Sequence, residues 1–260
     1  MYISKLFLNK NNYYNLKRNY GRNNQGKITS RYRKKGHKRL LRIVDKNLFL
    51  DKNYIITSIN YNPSKNKFLV TAYNKSNKVL IYKHYELNNN ANVLDIIAKN
   101  KNSTDVNNYL NFVSLKDLSI GNIICNIEKV PGKGPVFARS AGTFGQIIKF
   151  NNKNLVQIRL PSKEQYFINN KSKCIKGKNS NIFHKQLKKW KAGNSSNLGV
   201  KSKVRGVAKN PVDHPHGGGE GKGYVGRAPV NPNGKLTKNV PTRKVKKNSF
   251  FIALRRSKII

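Results

Sequence analysis

Phe144-Gly145-Gln146-Ile147-Ile148-Lys149-Phe150, Asn154-Leu155-Val156-Gln157-Ile158-Arg159-Leu160 and Gln165-Tyr166-Phe167-Ile168 follow one another with only Asn151-Asn152-Lys153 and Pro161-Ser162-Lys163-Glu164 between them. β-Branched and aromatic side chains fill the runs, and turn-forming residues fill the gaps. That pattern predicts three antiparallel strands joined by short turns. Their lengths suit a small barrel, and the fold class follows as mainly β.

The same signal lies upstream. Leu40-Leu41-Arg42-Ile43-Val44, Tyr54-Ile55-Ile56-Thr57-Ser58-Ile59, Phe68-Leu69-Val70-Thr71-Ala72-Tyr73 and Val79-Leu80-Ile81-Tyr82 alternate with the turn clusters Asn62-Pro63-Ser64-Lys65-Asn66 and Asn74-Lys75-Ser76-Asn77-Lys78. They predict a first small antiparallel barrel or meander. Residues 87–111 are Asn-rich and weakly apolar, an irregular insertion with Val93 to Ala98 as a short helix or strand. Strand character resumes at Gly121-Asn122-Ile123-Ile124-Cys125-Asn126-Ile127, followed by the rigid loop Val130-Pro131-Gly132-Lys133-Gly134-Pro135. Two β domains are expected, 39–118 and 119–185, each small enough for its core to be thin.

Charge points to the partner. The 260 residues carry 53 Lys+Arg against 10 Asp+Glu, a formal net charge of +43. Self-repulsion on that scale opposes compaction unless a polyanion lies alongside, and nucleic acid is the ordinary one. The carboxylates are Asp45, Asp51, Glu86, Asp95, Asp105, Asp117, Glu128, Glu164, Asp213 and Glu220, so both ends of the chain are free of negative charge. This is the pattern of a folded body with a basic N-terminal arm, 1–38, and a basic C-terminal extension, 186–260. No apolar run approaches the roughly eighteen residues of a membrane helix. The start, Met1-Tyr2-Ile3-Ser4-Lys5-Leu6-Phe7-Leu8, lacks a signal-peptide core. Its weak amphipathicity favours a retained arm over a transit peptide.

Within the first arm, Gly21-Arg22-Asn23-Asn24-Gln25-Gly26-Lys27-Ile28-Thr29-Ser30-Arg31-Tyr32-Arg33-Lys34-Lys35-Gly36-His37-Lys38-Arg39 mixes glycine with clustered bases and amides. Two readings fit: a disordered basic linker, or an RNA-threading arm with Arg and Lys on phosphates and Tyr32 and His37 stacked on bases. Beyond Gly177, Lys185-Gln186-Leu187-Lys188-Lys189-Trp190-Lys191-Ala192-Gly193 fits one or two helical turns, with the sole tryptophan, Trp190, as a packing anchor for the extension. Cys125 and Cys174 are the only cysteines, which favours buried free thiols over a disulfide or a zinc site.

Arg205-Gly206-Val207-Ala208-Lys209-Asn210-Pro211-Val212-Asp213-His214-Pro215-His216-Gly217-Gly218-Gly219-Glu220-Gly221-Lys222 is the most informative stretch for function. Its prolines fix φ, its glycines permit left-handed or close-approach backbone, and neither a helix nor a central strand can form. So little apolar content calls for an outside partner, and three consecutive glycines suit a peptide that follows a phosphate backbone.

The run 205–222 resembles the signature of the L two family of large ribosomal subunit proteins. Gly21 to Lys38 is similar to the family's N-terminal arm. Pro131-Gly132-Lys133-Gly134 with Ala138-Arg139-Ser140-Ala141-Gly142-Thr143 is similar to its inter-barrel loop, and Thr237 to Arg243 with Phe251 to Lys258 to its C-terminal end. The resemblance covers nearly the whole chain from Gly21. It implies an OB-fold barrel followed by an SH3-like barrel, with both extensions threading ribosomal RNA beside the peptidyl-transferase region. It implies a non-enzymatic structural role that supports subunit association, tRNA binding and peptide-bond formation by the RNA.

The residues implied in rRNA binding are Arg22, Asn23, Asn24, Lys27, Arg31, Arg33, His37 and Lys38 in the first arm, and Arg139 and Ser140 between the barrels. In the signature they are Arg205, Asn210, Asp213, His214, His216, Gly217, Gly218, Gly219 and Lys222, and toward the end Arg243, Arg255 and Arg256. His214 stands where the family has its best-known histidine, and the resemblance implies that it is the functionally critical residue. Asp213 would bond backbone amides in an Asx-type turn or fix an imidazole tautomer, and Glu220 would meet an Arg or hydrated magnesium. No cofactor is expected beyond magnesium shared with rRNA. The implied partners are large-subunit rRNA, other large-subunit proteins, the small subunit and nearby tRNA, at one copy per ribosome and with no membrane.

There are departures. Ser196-Asn197 stands where the family usually has arginine-tryptophan, Pro232-Asn233-Gly234 where it has proline-tryptophan-glycine, and Lys34-Lys35-Gly36 where it has three glycines. Bacterial relatives start several tens of residues earlier. With heavy use of Lys, Asn, Ile and Tyr, as in an A+T-rich gene, these departures suit a diverged organellar ribosome, mitochondrial before plastid. Two other classes fit less of the pattern: a metal-dependent nuclease on His214, His216 and Asp213, which lacks a carboxylate cluster, and a histone-like packaging or RNA-chaperone protein, which leaves the signature unexplained.

Overall fold

The computed structural model describes residues 13–15, 19–44, 54–74, 81–86, 96–97, 112–151, 154–220, 226–240 and 251–254. Lys222, Arg243, Arg255, Arg256, most of the Asn-rich insertion and the turn residues 75–78 and 152–153 lie outside them. The chain forms two compact units: Met1–Leu16, Lys38–Lys188 and Asn248–Ile260 make the first, Lys17–His37 and Lys189–Lys247 the second.

In the first unit, β1 (Tyr13–Asn15) pairs antiparallel with β2 (Leu40–Arg42). β3 (Tyr54–Asn62), β4 (Lys67–Asn74), β5 (Ile81–Glu86) and β6 (Ile96–Ile97) then form an antiparallel sheet in the order β5-β4-β3-β6. The β3–β4 hairpin closes by the turn chemistry its sequence predicts. Asn62 Oδ1 accepts the Ser64 N–H at 3.0 Å, and Asn66, at φ 58°, donates its N–H to the Asn62 carbonyl at 2.8 Å. Asparagine tolerates that left-handed backbone better than most residues, so the turn forms without glycine. Ile56, Leu69, Val70 and Ala72 are fully buried.

The second sheet is built from β7 (Phe112–Ser114), β8 (Ile123–Cys125), β11 (Gly145–Asn151), β12 (Leu155–Arg159), β13 (Gln165–Asn169), β14 (Lys173–Lys176) and β15 (Ile252–Leu254), in the order β15-β13-β12-β11-β8-β14-β7, while β9 (Ile127–Glu128) pairs with β10 (Pro135–Phe137). The predicted meander is β11-β12-β13, with Val156 opposite Ile168 and Ile158 opposite Tyr166. Leu115, Ile124, Ile127, Ile147, Val156, Ile158 and Ile168 fill the core with Cys174. Each such aliphatic side chain contributes roughly 1.5–3 kcal/mol by leaving water. Both cysteines are buried thiols outside any disulfide, and burial, followed by Cys125 and Glu128, pushes the Cys174 thiol well above its ordinary range. The architecture is mainly β, an OB-fold barrel followed by an SH3-like barrel.

A buried lysine joins the two sheets. Lys67, at the start of β4, is wholly inaccessible, and its Nζ donates to Asn126 Oδ1 and Asn179 Oδ1, both at 3.0 Å. Alongside it the Phe68 N–H donates to Ser180 Oγ at 3.0 Å, and the Ala141 N–H to the Lys65 carbonyl at 3.1 Å. A buried ammonium is tolerable only when its protons meet acceptors. These amides supply them.

After β14 the helical content differs from expectation. A 3-10 turn, Ile182–Gln186, and a short helix α1, Ala192–Asn197, flank the 185–193 stretch instead of filling it. Trp190 is 85 % exposed, so it does not anchor the extension by burial. Lys188, Lys189 and Lys191 flank it in sequence, in a segment outside any helix or strand.

Candidate nucleic-acid interface

In the second unit the two basic segments pair with each other. The Lys34 N–H donates to the Gly199 carbonyl at 3.0 Å, the His37 N–H to Asn197 at 2.9 Å and the Lys201 N–H to Tyr32 at 2.9 Å. Gly36 is required at this contact, because a Cβ there would lie 2.4 Å from the Asn197 carbonyl oxygen. Tyr32 is half-buried and its hydroxyl donates to the Val204 carbonyl at 3.2 Å, tying the first basic segment to the second.

A tight hairpin precedes this contact. Asn23 Oδ1 accepts the N–H groups of Gln25 (3.1 Å) and Lys27 (2.9 Å), and the Arg22 guanidinium donates to the Gly26 carbonyl at 2.7 Å. Asn23 therefore shapes the turn, an Asx arrangement. Asn24, Lys27, Arg31, Arg33, His37 and Lys38 present exposed side chains.

The signature closes on itself as a ring of backbone bonds. The Asp213 N–H reaches the Asn210 carbonyl (3.0 Å), the Gly217 N–H the His214 carbonyl (2.8 Å) and the Gly218 N–H the Lys209 carbonyl (3.1 Å). Only a 3-10 turn, Gly206–Ala208, is regular, as the absence of apolar periodicity predicts. Inside the ring His214 is only 7 % exposed, its imidazole against Gly206 and 4.7 Å from that of His216.

Both imidazoles accept from backbone. The His216 N–H donates to His214 Nδ1 at 3.0 Å, and the Val230 N–H donates to His216 Nε2 at 3.1 Å. An acceptor nitrogen carries no proton, so His214 is neutral with its proton on Nε2, and His216 is neutral with its proton on Nδ1. Burial, then His216, Lys209 and Arg31, hold the His214 pKa below its ordinary value. The tautomer is thus set by a backbone amide, not by Asp213, whose side chain is exposed. Neither ring keeps a free lone pair for a metal, which weakens the nuclease reading on the geometry itself.

The three glycines also differ from the expectation that all of them open the backbone to a partner. A Cβ on Gly217 would fall 2.2 Å from the Asn210 carbonyl oxygen, and one on Gly218 (φ +87°) 2.8 Å from Pro211 Cγ. The chain's own ring occupies those spaces. Gly219, at φ +84°, faces open space, and it alone of the three leaves room for close approach. Arg205, Asn210 and Glu220 are exposed on the rim.

In the first unit the loop between β9 and β10 is organised by a carboxylate. Glu128, almost fully buried, accepts backbone N–H groups from Gly132 (3.3 Å), Gly134 (3.1 Å) and Lys173 (3.0 Å). Its negative charge therefore shapes the Pro131–Gly134 bend rather than meeting solvent. Ser140 is exposed and Arg139 half-buried beyond this loop. Sequence reasoning passed over Gly206, Val230 and Glu128. Only Glu128 carried a signal, as a lone acid within strand sequence next to a Gly-Lys-Gly loop.

Residues 109–234 match the family described as Ribosomal Proteins L2, C-terminal domain, and residues 9–94 the one described as Ribosomal Proteins L2, RNA binding N-terminal domain. The large ribosomal subunit protein uL2 of Orientia tsutsugamushi (strain Ikeda) is 43% identical over 239 residues, 91% of this chain and 85% of that protein. The uL2 of Mycoplasmoides gallisepticum (strain R(low / passage 15 / clone 2)) is 40% identical over 247 residues, covering 92% and 85%. That of Wolbachia pipientis subsp. Culex pipiens (strain wPip) is 38% identical over 259 residues, covering 95% and 90%. With both halves matched in order and the relatives covered over most of their length, the chain belongs to the uL2 family of large ribosomal subunit proteins.

Proposed function

We propose that this chain is a structural, non-enzymatic component of the large ribosomal subunit that binds its rRNA through the paired basic segments and the signature loop. Family membership supports the large subunit and RNA binding. The observation that carries the interface is the closed ring 209–218, which buries His214 while leaving Gly219 and the rim open. A preformed loop in a chain of net charge +43 binds RNA with less ordering entropy to overcome than a disordered tail.

The finer reading places the loop beside the peptidyl-transferase region, where the protein supports subunit association, tRNA binding and RNA-catalysed peptide-bond formation, with His214 as the critical residue. The arm 1–38, the OB-fold-like domain 39–118, the SH3-like barrel 119–185 and the extension 186–260 are the working division for testing it. Glu220 is an exposed carboxylate, which suits outer-sphere contact with magnesium hydrated on the RNA, and no protein cofactor is proposed. We assign the ribosome to an organelle on composition, with the mitochondrion before the plastid.

Sedimentation of the tagged chain through gradients at moderate and high salt tests the central claim. Co-migration with the large subunit that survives high salt is expected, and migration as a free or DNA-bound species would overturn it. Fractionation against mitochondrial and plastid markers tests the compartment, and recovery on cytosolic ribosomes would refute the organellar assignment.

A further inference from the structure

An anchored turn in the first unit displays apolar side chains that the described residues of that unit leave exposed. Asn179 and Ser180 at its base are buried, Asn179 Nδ2 donates to the Thr143 carbonyl at 3.1 Å, and Asn181 Nδ2 donates to the Asn66 carbonyl at 2.8 Å. Gly142 packs directly beneath it, since a Cβ there would lie 2.9 Å from Ile182 Cα. The 3-10 turn Ile182–Gln186 then rises with the His184 N–H on the Asn181 carbonyl (3.2 Å) and the Leu187 N–H on the His184 carbonyl (3.4 Å). In the turn Phe183 is 70 % exposed, and Leu187, just past its end, 67 %.

Hydrophobic side chains held in water by a fixed scaffold mark a contact surface. Charge selects the partner. Lys185 and Lys188 lie beside Phe183 and Leu187 in sequence, and no carboxylate occurs between Glu164 and Asp213. A purely apolar protein segment gives no reason for that bias, and in a chain of net charge +43 whose N-terminal half matches an RNA-binding domain an unpaired nucleotide answers both features, with a flat base for Phe183 and a phosphate for the lysines.

We infer that Phe183, with Leu187 just past the end of the turn and Lys185 and Lys188 as phosphate contacts, is a stacking platform for an unpaired base of the large-subunit rRNA. This rests on the functional reading above. It is separate from the signature loop, because it lies in the first unit and uses stacking rather than a glycine-lined approach. Stacking carries affinity without counter-ion release, while each lysine carries a share of the salt dependence.

The test has two arms, both with the full chain. Binding to the large-subunit rRNA is measured across a salt series for Phe183→Ala, Phe183→Trp and Lys185→Ala. Phe183→Ala should weaken binding about tenfold with an unchanged salt slope. Phe183→Trp should restore affinity, and Lys185→Ala should reduce the slope. Native affinity in Phe183→Ala, or failure of Phe183→Trp to restore it, would overturn the inference. In the second arm a photoreactive phenylalanine analogue at position 183 is carried into large subunits purified by sedimentation. An adduct to an rRNA base is expected, and an adduct to another protein, or none, overturns the platform. Loss of sedimentation with the subunit would instead indict the functional reading itself.

Discussion

The His216 backbone N–H donates to Nδ1 of His214 at 3.0 Å, so the two signature histidines are bonded to one another through main chain rather than standing as independent ligands. His216 passes the same kind of bond on, accepting from Val230 at 3.1 Å. A proton on either acceptor nitrogen abolishes the bond made there.

The loop is therefore sensitive to acid. The His214 pKa is depressed in the fold by burial, then by His216, Lys209 and Arg31. The unfolded ring takes up its proton near the ordinary value of about 6.5, while the folded ring resists until lower pH. The unfolded state binds more protons between those two values, so the contribution is complete above about pH 6.5 and is lost as pH falls through the folded pKa. Hydrogen exchange in assembled subunits, corrected for the intrinsic rate at each pH, should give the His216 amide a high protection factor at pH 7.5 and a lower one at pH 5. Equal protection at both would show that the clasp is not His214 Nδ1.

The glycines rank by what their space holds. Gly217→Ala drives a Cβ to 2.2 Å from the Asn210 carbonyl, and Gly206→Ala to 2.6 Å from His214 Cε1, so both should block incorporation into large subunits or displace the loop. Gly219→Ala meets nothing and incurs only the left-handed backbone cost, about 1–2 kcal/mol. It should assemble at moderately reduced yield. Assembly of all three at equal yield would refute the ring geometry.

Lys67→Met keeps the length of the buried chain but removes the donor to Asn126 and Asn179. Leaving two buried amide oxygens without it should cost roughly 1.5–3 kcal/mol. A denaturant midpoint equal to that of the native chain would show that the bonds contribute nothing.

Cys125 and Cys174 are buried, and the Cys174 thiol is held far from ionising. Only a thiolate reacts quickly with alkylating agents. Iodoacetamide at neutral pH should leave the folded chain unlabelled and modify both residues in denaturant. Rapid labelling of the folded chain would contradict their burial.

Most of the longer strands were legible because a half-buried sheet writes itself as alternating β-branched runs between turn residues, as in β3, β4 and β11 to β13. The pieces that escaped, β1, β7, β10, β14 and β15, are three or four residues long. A run that short has no period to read, and its pairing is decided by neighbours distant in sequence, as when Cys174 aligns with Val113. Trp190 was misjudged for a related reason, since residue type says that an indole prefers burial but not whether any surface is there to receive it.

The sequence by itself determined the two β bodies, the basic partnership with RNA, the family and the special status of 205–222, because composition, strand patterning and glycine-proline placement are local properties of the chain. Only the tertiary structure decided that the two basic segments lie against each other at Gly36 and Gly199, that Lys67 is buried between two asparagines, and that Gly217 is filled by Asn210 rather than opened to a partner. Those outcomes depend on which backbone groups meet across many residues of separation. No local preference encodes them.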